Sequence, residues 1–273
     1  MFGTNYYTLV SGFRELSLGM DVGAVRTEVE EALTARDMKC VRLLYTCYDC
    51  ENIAALHDGR TPTARFGQLS REELELELKS PVRLPERIAR VIRAYADPEG
   101  EDAAETDVSV PFARALFAAY YEECAASPSR FLREWSEFDR TLRNVIAAAM
   151  ARAEQVKADA VTVGGGETVE QLHRSSAADF GLRAELPYVD AVVSALNDGE
   201  GDLLERERKI DRIRWDMASE LATFDYFDLD AVLSYRVKVG IVARWNRLDI
   251  EHGRRMLERL MAELDGSRFV ERA

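Results

Sequence analysis

Apolar residues recur at spacings of three and four along most of the chain, which is the pattern of amphipathic α-helices. The longest run follows Ser127-Pro128 and predicts a helix of about 30 residues, which would measure about 45 Å. Its stripe consists of Phe131, Trp135, Phe138, Leu142, Val145, Ala149, Ala153 and Val156. A second stripe over residues 203–224 predicts a long partner helix. Because each apolar seam needs a surface to cover it, the two helices are expected to pack together.

Helix start signals divide the part of the chain that precedes these two helices. Asp21 is placed to cap a helix ending near residue 36, and another is expected over residues 37–56. Ser70-x-x-Glu73 has the form of a capping box. Pro85 and Pro111 suit the first turns of two further helices, because proline fixes φ near the helical value. The second of these helices is expected to present Phe112, Leu116, Tyr120 and Cys124 along one stripe. The first half of the chain is therefore predicted to be a series of helices.

The two ends and one interior segment carry different patterns. Residues 5–13 are β-branched and aromatic, which favours a short extended segment. Residues 163–185, which begin with the glycines 164–166, are polar and irregular and are expected to form a loop. Asp228 is placed to cap a helix that is apolar nearly all round, which is typical of a central, buried helix. Asp249 is placed to cap a last amphipathic helix.

These features predict an all-α fold, a multi-helix bundle of antiparallel helical hairpins with two long helices and a short extended N-terminal segment. Residues 1–273 are expected to form a single helical domain. The acidic segment 97–107, with Pro98 and Gly100, is where an internal boundary would fall.

Composition narrows the classes of function. The chain carries a formal net charge of −13, which would repel nucleic acid at long range. The first residues lack the pattern of a secretion signal. The most apolar stretch is interrupted by charges such as Arg236 and Arg244, which a bilayer core would penalise. We therefore expect a cytoplasmic protein with no direct membrane insertion and no nucleic-acid partner.

The sequence contains no recognisable set of catalytic residues. The glycines 164–166 lack the Gly-Lys-Ser/Thr ending of a phosphate loop, and no Gly-x-Ser-x-Gly elbow accompanies the three histidines. Cys47-x-x-Cys50 has no second pair to complete a zinc site. Glu170-x-x-His173 resembles half of a dinuclear metal site, but its near match, Asp249-x-x-His252, has an aspartate at a helix cap. No catalytic, cofactor-binding or metal-binding residue is predicted, and a helical-bundle metalloenzyme stays as the alternative.

The helix over residues 205–216 is dense in charges of both signs, which is typical of an exposed, ion-paired face. Within it, Trp215 lies beside Arg212 and Arg214. Tryptophan and arginine are enriched at the centres of protein interfaces. Arg212, Arg214 and Trp215 are therefore the predicted partner-binding residues.

Three stretches of the chain resemble a known family. They are Asn5-Tyr-Tyr-Thr-Leu-Val-Ser, Tyr48-Asp49-x-x-Asn52-Ile53 with Gly59 further on, and Phe224-Asp-Tyr-Phe-Asp-Leu-Asp-Ala-Val-Leu-Ser-Tyr235 continuing to Lys238 and Arg244-Trp245. The chain is similar to an uncharacterised bacterial family, a domain of unknown function encoded in V-type (A/V-type) ATPase operons. The likeness is strongest from residue 177 onward.

That family is in turn distantly similar to the all-helical C subunit of these ATPases, called d in eukaryotes, which couples the rotor stalk to the membrane ring. The resemblance implies a non-catalytic subunit or accessory protein of a bacterial rotary ATPase. Its partners would be other V-type ATPase subunits, in the central stalk and the membrane ring, and it would reach the inner membrane only through that complex. A transient assembly factor is a further alternative to a stable subunit.

Overall fold

The computed structural model describes residues 5–197 and 203–246, and within them the chain forms twelve α-helices, one short 3-10 helix (Ala158–Ala160) and no strand. The all-α prediction is confirmed. The α-helices are α1 (Tyr7–Ser11), α2 (Val22–Ala32), α3 (Ala35–His57), α4 (Arg71–Lys79), α5 (Glu86–Ala96), α6 (Glu101–Ala104), α7 (Phe112–Ala125), α8 (Arg130–Ala153), α9 (Glu167–Arg174), α10 (Val189–Asn197), α11 (Leu203–Leu221) and α12 (Leu229–Trp245).

Side-chain caps fix several of these helix starts. The Asp21 carboxylate accepts a hydrogen bond from Ala24 N at 3.0 Å, and Asp228 accepts one from Ala231 N at 3.1 Å. Ser70 and Glu73 form the reciprocal capping box, in which each side chain satisfies the other residue's backbone N–H. These three predicted caps are confirmed, because they depend only on neighbours in the sequence.

The main hydrophobic cluster of the core includes residues on both sides of segment 97–107, and two smaller clusters lie where α2 meets α12. Helices α5 and α7, which flank that segment, pack against each other, and α7 also packs against α3 and α8. The Tyr95 hydroxyl donates to the carbonyl oxygen of Val110, so the two ends of the segment are held together. On α7, the predicted stripe is buried and consists of Phe112, Leu116, Tyr120 and Cys124.

Helix α12 packs against α2, α3, α8 and α11, as expected of a central helix. Val232 and Leu233 are fully buried in this environment. The Ser234 hydroxyl donates to the carbonyl oxygen of Ala218 on α11 at 2.5 Å, and the Tyr45 hydroxyl on α3 donates to the carbonyl oxygen of Arg236 at 3.3 Å. The prediction that α12 is central is confirmed.

The extended segment predicted for residues 5–13 is wrong, because this stretch contains α1. Asn5 accepts a hydrogen bond from Tyr7 N at 2.8 Å, and the Ser11 hydroxyl donates to the carbonyl oxygen of Tyr7 at 2.5 Å. These local hydrogen bonds, together with burial of Tyr6, outweigh the weak β-propensity of the side chains.

The long helix α8 begins two residues later than its predicted cap, Ser127, and it ends earlier than its pattern predicts. Its N-cap is Ser129, which accepts a hydrogen bond from Leu132 N at 3.0 Å, and Ser127 instead accepts one from Ser129 N. The helix has 24 residues and ends at Ala153. Because the chain turns after this point, Ala153 and Val156 are exposed rather than part of the seam.

The loop predicted for residues 163–185 contains α9, whose Val169 and Leu172 are three residues apart and buried together. Helix α10 was not predicted at all. Helix α11 packs against α8 as expected, but also against α10 and α12, and the ends of its predicted stripe, Leu203 and Phe224, are exposed. The last predicted helix, capped by Asp249, lies outside the described residues.

Over residues 5–197 and 203–246, no helix combines the length with the apolar character that crossing a bilayer requires.

Candidate functional site

A polar cleft of about 400 Å³ opens between α3, α8, α11 and α12. Aromatic side chains of α3 and α8, among them Tyr48 and Trp135, form part of its wall. The remaining wall carries arginines and acids that come from all four of these helices. A cleft with aromatic walls and converging charges has the composition of a binding site.

The first acid of the cleft, Asp139 on α8, joins three helices. It accepts hydrogen bonds from the Tyr121 hydroxyl of α7 at 2.9 Å and from Arg143 Nε at 2.8 Å. Arg214 Nε of α11 lies 3.7 Å from its other oxygen. Burial opposes ionisation of Asp139, but the positive charges of Arg143 and Arg214 outweigh burial and hold its pKa below the ordinary value.

The second acid, Asp211 on α11, is 4 % exposed and is more completely paired. It accepts hydrogen bonds from Arg214 Nη1 at 3.1 Å, from Arg244 Nη1 at 2.9 Å and from Trp245 Nε1 at 2.9 Å. Arg244 also donates to Glu207 on α11. Both carboxylate oxygens of this buried side chain therefore accept hydrogen bonds from charged or polar donors.

These contacts form one continuous chain of hydrogen bonds and ion pairs, which we call the charged network. It consists of Tyr121, Asp139, Arg143, Glu207, Asp211, Arg214, Arg244 and Trp245. The network links α7 to α8, α8 to α11, and α11 to α12. Its acids and bases are paired with one another, so the arrangement cross-links the helices.

Arg236 on α12 is the exception among the charges of the cleft. It is 2 % exposed, and its Nε and Nη1 have no hydrogen-bond partner among the described residues. Its guanidinium lies 4.9 Å from the centre of the Tyr45 ring, and its Nη2 lies 3.8 Å from a carboxylate oxygen of Glu30. The face of Tyr45 therefore takes the place of hydrogen-bond acceptors beside this buried cation.

The three predicted partner-binding residues do not share one environment. Arg212 is exposed and pairs with Asp216 at 2.8 Å, one turn along α11. Trp215 is half-buried, and Lys238 Nζ of α12 lies 5.7 Å from its ring centre. Arg214 is only 17 % exposed and belongs to the charged network. Arg212 and Trp215 thus border a surface, while Arg214 points into the protein.

The residues of the metal alternative lie apart from the cleft. Glu170 accepts a hydrogen bond from Arg174, and His173 Nε2 lies 2.8 Å from the Thr162 hydroxyl. His252 and Asp249 fall outside the described residues. Within the described part of the chain, no group of three or more His, Cys, Asp or Glu side chains is arranged to hold a metal ion.

The two cysteines of Cys47-x-x-Cys50 are free thiols. Burial raises the pKa of Cys47 to about 12, and it also raises the pKa of Cys50 well above the ordinary value. A thiol with so high a pKa is protonated at neutral pH and is a poor nucleophile and a poor metal ligand.

The Asp-x-x-Asn pattern of α3 has a structural use in this protein. Asp49 accepts hydrogen bonds from Gln68 N and Leu69 N. The Asn52 side chain accepts a hydrogen bond from Ala64 N and donates one to the carbonyl oxygen of Ala64. A Cβ on Gly67 would come within 2.6 Å of an Asp49 carboxylate oxygen, so only glycine fits there. The two side chains therefore hold the loop between α3 and α4 against the body.

Sequence reasoning missed the charged network, although each member leaves a local signal. Asp139 follows Phe138 within the apolar seam of α8, and Asp211 follows the buried Ile210. A charged residue beside a buried stripe requires a partner within the fold when its own side chain is buried, as these two are. What the sequence does not provide is the identity of that partner, since Asp211 and Arg244 are 33 positions apart.

A family model described as "Protein of unknown function (DUF2764)" matches residues 3–266, which include the cleft and all members of the charged network. A comparison with curated proteins gave no match.

Proposed function

We propose that this chain, which belongs to the DUF2764 family, is a non-catalytic subunit or accessory protein of a bacterial V-type or A-type rotary ATPase. In this proposal it acts as a helical coupling adaptor, like the C/d subunit of the central stalk. The setting rests on the resemblance of its Tyr-Tyr segment, its Asp-x-x-Asn helix and its C-terminal helix to the proteins encoded with such ATPases.

The observation that best supports an adaptor is the charged network. Charged groups that converge on a cleft in an enzyme act on a substrate, whereas here Asp139, Asp211 and Glu207 are each paired with arginine. Such cross-links resist sliding of α8, α11 and α12 past one another. A part that passes torque or holds two subunits in register needs this stiffness.

A stable subunit and an assembly factor differ in where the protein is found. The test is to purify the intact ATPase from the native organism through a tag on another subunit, and to ask whether this chain is present in stoichiometric amount. Its presence supports a subunit. Enrichment only on partly assembled complexes supports an assembly factor, and absence from both overturns the proposal.

A test of the predicted partner-binding residues requires a variant that leaves the charged network intact. Arg212→Ala combined with Trp215→Ala removes the two residues that border the surface and keeps Arg214. We expect this variant to retain its melting temperature within a few degrees and to lose co-purification with the ATPase. Lys39→Ala, an exposed change on α3, is the matched control. Full recovery of the double variant with the complex would refute this contact surface.

A further inference from the structure

Four aromatic side chains lie exposed around the connection between α11 and α12 and the adjoining helix α1. We call them the aromatic surface, which consists of Tyr7, Phe224, Tyr226 and Phe227. Phe224 is 84 % exposed, Tyr226 67 % and Tyr7 59 %. The Tyr7 and Phe227 rings lie 4.7 Å apart, and those of Tyr226 and Phe227 6.5 Å apart. Tyr7, Phe227 and Tyr226 thus form a contiguous group, and Phe224 precedes Tyr226 by two positions in the same connection. Exposed aromatics grouped in this way are uncommon on a monomer surface and mark a binding site.

The backbone beneath these side chains is held in place, so their exposure is a property of the fold. Phe227 accepts a hydrogen bond at its carbonyl oxygen from Tyr6 N at 2.6 Å. Arg130 on α8 donates to the carbonyl oxygen of Leu221 at 3.0 Å and to the Asp225 carboxylate. Asp228 caps α12 immediately afterwards. The connection is thus fixed at three points, and its aromatic rings face outward.

Tyr6 and Tyr7 show how the surface is built. Tyr6 is buried, and its hydroxyl donates to Asp37 at 2.5 Å and accepts from Thr34 N at 3.2 Å, which ties α1 to the start of α3. Tyr7 is on the opposite side of the same turn and is exposed against Phe227. One tyrosine therefore anchors the segment, and its neighbour is free to contact something outside the chain.

The residues around the aromatic surface are mainly acidic. The connection and the first turn of α12 carry Asp225, Asp228 and Asp230. Arg130 of α8 pairs with Asp225 and lies 3.9 Å from Asp230, so one arginine faces the three acids. Burial together with the neighbouring charges of Asp228 and Asp230 raises the pKa of Asp225. The local field is therefore negative, in keeping with the net charge of −13.

We propose that the aromatic surface is a docking site for a basic segment of another protein, one that presents lysine or arginine side chains next to apolar ones. The rings of Phe224 and Tyr226 offer faces for cation–π contact, and the excess of acids over bases in the connection attracts the same cations at longer range. Apolar groups of the partner would cover the rings. The proposal does not depend on which complex this protein joins.

A second copy of the chain fits this site poorly. It would bring the same acidic connection and the same excess of negative charge to the contact, and like charges placed together disfavour association. Charge complementarity therefore selects a basic partner over self-association.

The test uses the full chain and a labelled amphipathic peptide of leucine and lysine as the probe, with a leucine–glutamate peptide of the same pattern beside it. We expect the lysine peptide to bind and the glutamate peptide not to. Phe224→Ser combined with Tyr226→Ser should weaken binding by about tenfold, because exposed aromatic anchors carry much of such an interface. Asp228→Asn, which keeps the helix cap, should weaken it by roughly threefold.

The matched control is Leu76→Ser with Val82→Ser, which removes two other exposed apolar side chains beside an acidic helix, α4. It should leave peptide binding unchanged, which separates docking on the aromatic surface from general attraction to an acidic protein. Equal affinity of the Phe224/Tyr226 variant and the wild type would overturn the proposal. So would a wild-type dimer, detected by sedimentation, that the same variant dissociates.

Discussion

The two ends of the α11–α12 hairpin are built in opposite ways. At the end where α11 begins and α12 finishes, charged residues are turned inward, and Asp211 is buried between Arg214, Arg244 and Trp245. At the other end, where the connection passes from α11 to α12, Phe224 and Tyr226 are turned outward.

The contrast shows that residue type alone does not decide what is buried. A carboxylate can be buried when the fold supplies hydrogen-bond donors for it. An aromatic ring remains exposed when hydrogen bonds hold its backbone at the surface. We therefore interpret the inward charges as the cross-link of the hairpin and the outward aromatics as its contact surface. Each interpretation predicts a different response to mutation.

The largest effect is expected at the charged end, for Asp211→Ala. The change leaves Arg214, Arg244 and the Trp245 N–H without their shared acceptor. Removing one partner from a buried ion pair costs about 3–5 kcal/mol of the free energy of unfolding. Chemical denaturation measures this loss in the free energy of unfolding. Asp216→Ala, which breaks only the exposed pair with Arg212, should cost less than about 0.5 kcal/mol. Equal losses in the two variants would mean that the network does not stabilise the hairpin.

The second prediction concerns the response of the same network to pH. Because the pKa of Asp139 is lower in the folded protein than in the unfolded chain, its ionised form stabilises the fold above pH ~4, and this contribution is lost as the pH falls further. Asp139→Asn should be less stable at pH 7 and should lose less stability between pH 5 and 3, by at most about 1 kcal/mol. If the free energy of unfolding falls in parallel with pH for the variant and the wild type, Asp139 is not responsible for the loss of stability in acid.

A smaller effect is expected from the anchor of the aromatic end. Tyr6→Phe removes the hydroxyl that donates to Asp37 and accepts from Thr34 N, while the ring stays in place. Loss of such hydrogen bonds should lower the free energy of unfolding by about 1 kcal/mol. Tyr7→Phe, on the exposed side of the same helix, is the control and should leave stability unchanged. Denaturation curves that coincide for Tyr6→Phe and the wild type would contradict this role.

The smallest effect on stability is expected at the aromatic surface itself. Phe224 is largely exposed, so Phe224→Ser removes almost no buried apolar area and should change the free energy of unfolding by less than about 0.5 kcal/mol. Thermal unfolding measures it. A loss of several kcal/mol would mean that the ring packs within the protein, and the contrast between the two ends of the hairpin would fail.

The elements predicted correctly from sequence are those decided by near neighbours. The caps at Asp21, Ser70 and Asp228 each depend on a residue three positions away. The buried stripe of α7 depends on spacings of three and four. Such signals are complete within one or two turns of helix, so they can be read without knowledge of the fold.

The errors arise where tertiary contacts overrule a local pattern. Residues 5–13 have side chains typical of strands, yet the burial of Tyr6 and its hydrogen bonds with Asp37 and Thr34 favour α1. Residues 163–185 look polar throughout, yet Val169 and Leu172 suffice to dock α9. The composition of residues 205–216 indicated an interface, but did not show that Arg214 points inward and Arg212 outward.

The sequence by itself determined that this chain is helical, where most helices begin, and that α12 is central, because periodicity and capping are short-range properties. Only the tertiary structure decided that Asp139, Asp211 and Arg244 meet and that Phe224, Tyr226 and Tyr7 share one surface. The physical reason is that the sequence shows only which kind of contact a residue requires, such as a hydrogen-bond donor for a carboxylate or an apolar contact for a ring. Which group makes that contact, and whether it lies within the chain or outside it, depends on how distant helices pack.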